Sequence, residues 1–203
     1  MRTRSYPSAL HPSAFDQETK AVMKVQNTPA ALRRSSARWL TTTALLMGMN
    51  IVLSLSIFSI PVPGGHLYFC DAVIDTAAIL LDPLAAFVVG GVGSFLGDFF
   101  FYPAPMFVSL VTHGLQAIVV SVISHSRLSK KPVLSSIIAV TAGAVIMVIG
   151  YTLGRAYIYS TPEYAVLKLP FEILQAGFGA AVSVILLYPM RLSSAFRRMI
   201  HDQ

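Results

Sequence analysis

Between Arg38 and Arg127 the chain carries no lysine or arginine for 88 residues, a gap that excludes an ordinary soluble domain. Charge is scarce throughout, at 12% of residues against 55% hydrophobic. Cysteine is nearly absent too: Cys70 stands alone, which rules out an internal disulfide framework and leaves a buried, unreactive thiol as the expected state. No His-Glu-x-x-His helix occurs, so an intramembrane zinc protease is excluded, and no metal site or cofactor is expected. Gly91-Val92-Gly93-Ser94 with His113 is the only pairing that a serine protease could draw on, and nothing else supports it. A phosphate-cradling glycine loop with lysine is missing, so the chain is not an enzyme that hydrolyses ATP by that route. Any energy must come from elsewhere.

What is present is a series of apolar runs. Four fall inside the charge gap, at 40–60, 67–81, 83–101 and 106–124, and two follow at 133–153 and 165–188. Each is about as long as a helix needs to cross or nearly cross a bilayer. The expected fold is an all-α membrane protein of six transmembrane helices, forming one unit over 38–190. Residues 1–37 are expected to be a flexible basic cytoplasmic tail and 191–203 a basic cytoplasmic C-terminal tail. Met23-Lys24 reads as a more ordinary start, so the first 22 residues are expected to be dispensable.

The net charge of +6 does not form a nucleic-acid patch, because the basic residues alternate with the spans. Arg33, Arg34 and Arg38 precede the first, Arg127, Lys130 and Lys131 separate the fourth and fifth, and Arg191, Arg197 and Arg198 follow the sixth. The links at 61–66 and 102–105 carry none. By the positive-inside rule both termini are cytoplasmic, and the links after spans one, three and five face outward. Arg155 and Lys168 are exceptions near the outer ends of spans five and six. Their stems can snorkel to the surface or turn into a polar interior.

Local signals are distinct. Pro61-Val62-Pro63-Gly64-Gly65 stops the first helix and permits a tight turn, and Asp82-Pro83 reads as an N-cap followed by proline at the first helical position. Gly93 and Gly97 lie four apart on one face of span three, a spacing that lets helix backbones approach closely. Thr41, Ala44 and Gly48 make a second small stripe on span one, suited either to packing within the chain or to docking another membrane subunit.

An ionisable group in hydrocarbon costs about 2.5–3.5 kcal/mol on insertion scales, so those present are expected to face a cavity or a partner. His66, Tyr68 and Asp71 fall at the outer start of span two, Asp98 and Tyr102 at the outer end of span three. His113 and Glu172 lie about 10 Å below the outer surface, counted at 1.5 Å per residue. Arg155, Tyr157, Tyr159 and Glu163 border the last outer link. The pattern describes a pocket open to the outside rather than an ion wire. Asp71 can instead cap its helix, and Lys168 can neutralise Glu172 at i, i+4. Asp75 has no capping role, and His113 with Gln116 offers donors and acceptors suited to a small heteroaromatic molecule or to a neighbouring helix. Trp39, Tyr151 and Tyr188 read as interfacial anchors.

Pro63-Gly64-Gly65-His66-Leu67-Tyr68-Phe69-Cys70-Asp71-Ala72-Val73, then Gly90-Gly91-Val92-Gly93-Ser94, Gly97-Asp98 and His113-Gly114-Leu115, resembles the substrate-binding S components of energy-coupling factor (ECF) vitamin transporters. The resemblance is to the branch assigned to hydroxymethylpyrimidine, the thiamine precursor, which is related to the riboflavin S components. It covers about 38–190 and is most specific over 61–116. It implies a six-helix bundle with both ends cytoplasmic, in a bacterial plasma membrane, with a vitamin held near the outer face. The implied ligand is hydroxymethylpyrimidine, with pyridoxine or another B vitamin as the alternative, and an autonomous small-solute transporter as the alternative class. The implied site draws on His66, Tyr68, Asp71, Asp75, Asp98, Tyr102, His113, Gln116, Arg155 and Glu172. The implied partners are a transmembrane T component, docked through Thr41, Ala44 and Gly48, and two cytoplasmic ATPases that supply the hydrolysis. Two departures touch the site: Cys70 stands where relatives usually have glycine, and His113 with Gln116 where a lysine and a glutamate are common.

Overall fold

A computed structural model describes residues 37–55, 58–126, 131–190 and 192–193. Apart from Ala37, Leu192 and Ser193, the expected tails lie outside the described residues, as do Arg127, Lys130 and most of the basic residues used above to orient the chain.

Among the described residues, six helical segments occupy the six apolar runs: α1 (Ala37–Leu53), α2 (Cys70–Leu80), α3 (Pro83–Phe101), α4 (Met106–Ser124), α5 (Pro132–Tyr159) and α6 (Pro162–Leu187). The last four are long and apolar enough to cross a membrane, and α1 is a shorter apolar helix. The first two runs are interrupted sooner than their hydropathy predicts. Instead of continuing to 60, α1 stops at Leu53, and the expected second span begins only at Cys70, because Ile60–Val62 (β1) and Gly65–Leu67 (β2) pair as an antiparallel hairpin. Prolines 61 and 63 cannot extend a helix. The two residues between the strands are Pro63 and Gly64, the latter at φ +81°, the arrangement a type II turn requires.

At 11 residues α2 is only about 16 Å long, half a bilayer core. It sits within the protein, packed against α1, α4 and α6, and its residues from Cys70 to Ala78 are all buried. Asp82 caps α3 as its sequence indicates, accepting from the Leu84 N–H at 3.2 Å, while its other oxygen accepts from the Trp39 indole at 2.6 Å. Trp39 therefore ties α1 to the α2–α3 link as well as sitting near a helix end.

Helix α3 widens into a π-helical turn over Val88–Val92, just where its glycines begin. Asn50 of α1 inserts there, donating to the Val89 carbonyl at 2.7 Å and to the Ser94 hydroxyl at 3.1 Å. Such turns free backbone groups for other partners. Gly93 and Gly97 face α1 so closely that a Cβ would lie 2.8 Å from the Asn50 Nδ2 and from the Ser54 Cβ, respectively.

Candidate functional site

The hairpin, the link after α3 and the end of α5 converge at one end of the bundle around a cavity of about 150 Å³. This is the common end that alternating spans predict for the three outward links. The α5 end is a second π-helical turn, Arg155–Tyr159, and it brings both of its terminal residues to the cavity. Of the ten residues proposed from sequence, His66, Tyr68, Asp98, Tyr102, His113, Arg155 and Glu172 line the space. Asp71, Asp75 and Gln116 do not; they form a buried layer behind its wall.

One side is cationic. Arg155 donates through Nη1 to the Gly64 carbonyl at 2.8 Å and through Nη2 to Glu172 at 3.0 Å, and its guanidinium lies 5.3 Å from the centre of the Tyr159 ring. Lys168 donates to the His66 carbonyl at 2.7 Å and stands 3.8 Å from the same Glu172 oxygen. Neither cation snorkels outward, and Lys168 is only 2% exposed. The expected i, i+4 pair of Lys168 with Glu172 exists, but Arg155 is the closer partner. A carboxylate between two cations offsets much of the cost of burying all three, and two hairpin carbonyls each take one further donor, Gly64 from Arg155 and His66 from Lys168. The hairpin is thus pinned over the cavity through its backbone.

The other side is built of acceptors. Gln175 donates to Asp71 Oδ2 at 2.7 Å and accepts from the Tyr68 N–H at 3.0 Å. Asp71 therefore does not cap α2; it holds α6 and, through Gln175, the segment after the hairpin. Gln116 donates to Asp75 at 3.0 Å and to Asp71 at 3.4 Å, and its carbonyl oxygen lies 2.8 Å from His113 Nδ1. The His113 ring meets the edge of Tyr151, with centroids 5.1 Å apart. Tyr151 donates to the Ser109 hydroxyl at 2.6 Å, and Ser109 in turn donates to Asp98. Tyr151, expected as an interfacial anchor, instead forms part of the cavity wall. Tyr188 keeps to the far end of α6 and hydrogen-bonds Ser136 and the Pro132 carbonyl.

Sequence reasoning left Tyr151, Tyr159, Lys168, Gln175 and Met147 out of the site, and named Cys70 only as a departure touching it; all six line it. A signal existed for five of them. Residues 151, 155 and 159 recur every four positions on α5, as do 168 and 172 on α6 with 175 three further on, so each group shares a face with a residue already in the set. Cys70 directly precedes Asp71. Met147 alone had no signal beyond its four-residue offset from Tyr151. Among the described residues no group of three or more His, Cys, Asp or Glu could hold a metal ion. The arrangement can bind, orient and enclose a small polar molecule.

Comparison with known proteins agrees with the architecture. The family model described as "ECF-type riboflavin transporter, S component" matches residues 34–192. A protein of Pyrococcus woesei, described as "Uncharacterized protein in gap 3'region", is 31% identical over 134 residues, covering 65% of this chain and 88% of that protein.

Proposed function

The chain belongs to the ECF-type riboflavin transporter S-component family and is the substrate-binding membrane subunit of such a vitamin importer, and from that premise we propose that its ligand is a single-ring vitamin or precursor, hydroxymethylpyrimidine foremost. The observation that carries this reading is the size and lining of the cavity. An engineered protein cavity of about 150 Å³ takes benzene. The space here is of that class, with Tyr68, Tyr151 and Tyr159 on its walls and charged groups at both sides. A six-membered ring with short polar substituents suits it. The three fused rings and five-carbon chain of riboflavin do not, so the ligand in the family's description is not carried over. Pyridoxine, also one ring, is the second choice.

Direct ligand contacts are assigned to His66, Tyr68, Asp98, Tyr102, His113, Arg155 and Glu172, with Asp71, Asp75 and Gln116 in support. The family implies a transmembrane T component and ATPases as partners. We assign the docking surface to Thr41, Ala44 and Gly48. Thr41 and Ala44 are exposed, and a Cβ built on Gly48 would meet nothing within 4 Å among the described residues. As a multi-pass protein it occupies a cell membrane, placed by the sequence resemblance in a bacterium.

The test is mass spectrometry of small molecules released from protein purified in mild detergent, followed by equilibrium binding of hydroxymethylpyrimidine. Glu172→Ala and His113→Ala are expected to weaken binding at least tenfold, since each removes a charge-assisted or polar contact; both remain folded, with Glu172→Ala the less stable because Arg155 and Lys168 lose their carboxylate. Unchanged affinity in both would remove the site assignment. Uptake into liposomes by the isolated chain, without ATPases, would remove the subunit reading.

A further inference from the structure

Three of the ten residues proposed from sequence, Asp71, Asp75 and Gln116, do not reach the cavity, yet they are hydrogen-bonded to one another and to a residue that does. Resting on the assignment of the cavity as the ligand site, we propose that Asp75 and Gln116 are positioning residues that hold His113 in its Nδ1–H tautomer. Its bare Nε2, together with a free oxygen of Asp98, then selects a ligand presenting hydrogen-bond donors, such as an exocyclic amine or hydroxyl on one ring.

The hydrogen-bond chain starts at the buried end. Two carboxylates flank the same atom of Gln116, Asp75 at 3.0 Å and Asp71 at 3.4 Å, so that atom is the donating amide nitrogen. A flip would exchange both of these donations for oxygen–oxygen contacts and turn the amide nitrogen toward His113. With the nitrogen so fixed, the Gln116 carbonyl must face His113 Nδ1, 2.8 Å away. Asp71 Oδ1 lies 3.7 Å from the same nitrogen, so both groups recorded against Nδ1 are acceptors. The proton therefore sits on Nδ1, and in the neutral ring Nε2 is left with a lone pair. No protein group among the described residues hydrogen-bonds Nε2, and His113 lines the cavity. Asp98 offers a second acceptor to the same space, because Ser109 engages only Oδ2.

The opposite side has the reverse polarity. Arg155 Nε and the Tyr159 hydroxyl are buried without a partner among the described residues, and both can donate. A ligand with donors at one edge and acceptors at the other satisfies both walls. Arg155 and Lys168 are already engaged by Glu172 and the hairpin carbonyls, so a phosphate ester would find no free pair of cations there.

The experiment has two arms on the full chain in detergent. In the first, ¹⁵N-histidine NMR of ligand-free protein, assigned with a His113→Gln variant, should show the proton on Nδ1 and none on Nε2. An Nε2–H tautomer or an imidazolium overturns the proposal. In the second, binding is measured for hydroxymethylpyrimidine and for its analogue with hydrogen in place of the 4-amino group. Wild-type protein should prefer the amine by roughly tenfold or more, the worth of a hydrogen bond to a charged or strongly polar acceptor. Gln116→Leu and Asp75→Leu should each lose several-fold of that preference and the Nδ1–H signature, and Asp75→Asn, which keeps an acceptor for Gln116, should retain both. Unaltered preference in Gln116→Leu overturns the positioning role. If the wild-type spectrum is as expected but neither probe binds, the tautomer assignment stands and the pyrimidine reading falls.

Discussion

Two faces of small residues look alike in the sequence and have opposite structures. On α1, Ala44 and Gly48 lie four apart, as Gly93 and Gly97 do on α3. The α3 face is filled: the side chains of Asn50 on α1 and of Ser54 just after it approach so closely that a methyl group on either glycine would collide. The α1 face meets nothing among the described residues, with open space at Gly48 and exposed Leu40, Leu45, Met49 and Val52 around it. Within lipid, where helices gain little by hiding apolar surface from one another, small residues matter because they permit close packing. Their spacing says that a backbone can approach, and only the structure says whether one already has. Helix α1 in fact uses two sides at once, burying Thr43 and Asn50 against its own chain while Ala44 and Gly48 face away.

The largest effect that would break this contrast is on the filled face. Gly97→Leu forces α1 and α3 apart at Ser54, which together with Ser94 also borders the cavity. Overpacking of this kind costs about 1–3 kcal/mol. Thermal unfolding in detergent should shift well below wild type, with ligand binding reduced in parallel; an unshifted transition would show that the two helices are not in contact. The same substitution on the open face, Gly48→Leu, should leave unfolding within about 0.5 kcal/mol of wild type and spare ligand binding. Co-purification with the T component and ATPases should instead be lost. Intact assembly in Gly48→Leu and in Ala44→Leu would refute the docking assignment.

A smaller effect is expected at Asn50, the polar link of the filled face. Asn50→Leu leaves the Val89 carbonyl and the Ser94 hydroxyl without the donor that now serves both. A buried polar group left unsatisfied costs about 1–3 kcal/mol, and the leucine recovers part of that through packing. Denaturation should show a modest loss, less than that of Gly97→Leu. A loss equal to or greater than that variant's would place the main stabilisation of this face in its hydrogen bonds.

The same distinction between a pattern and the neighbour that uses it explains how far the sequence could be read. The six segments, the Asp82 cap and the convergence of three links on one polar cavity follow from run length, turn chemistry and alternation. These are local or additive properties. Rotation about each helix axis is not, because a run that is apolar on all sides has no preferred face of its own. Tyr151 and Tyr157 stand six residues apart near one end of α5, and the first is sealed into the cavity wall while the second is 78% exposed. Lys168 shows the same limit: its buried position depends on the His66 carbonyl, 102 residues away in sequence. The shortness of α2 was also hidden, since hydropathy continues through Leu67 into a segment that the prolines and Gly64 divert into a strand.

The finest test of the two faces changes a single methyl group on each. At Gly48 the site is vacant, and alanine is the better helix former by about 1 kcal/mol in a helix interior, so Gly48→Ala should be as stable as wild type or slightly more so. Alanine keeps the stripe small, so assembly should persist. At Gly93 the same methyl would lie 2.8 Å from Asn50 Nδ2 and 3.2 Å from the Met47 side chain, and the helix gain is opposed by displacement of the donor to Val89. Gly93→Ala should therefore be the less stable of the two although the chemical change is identical. Thermal unfolding of both variants, measured side by side, checks the sign; equal transitions would mean that the α1–α3 contact yields as readily as open space.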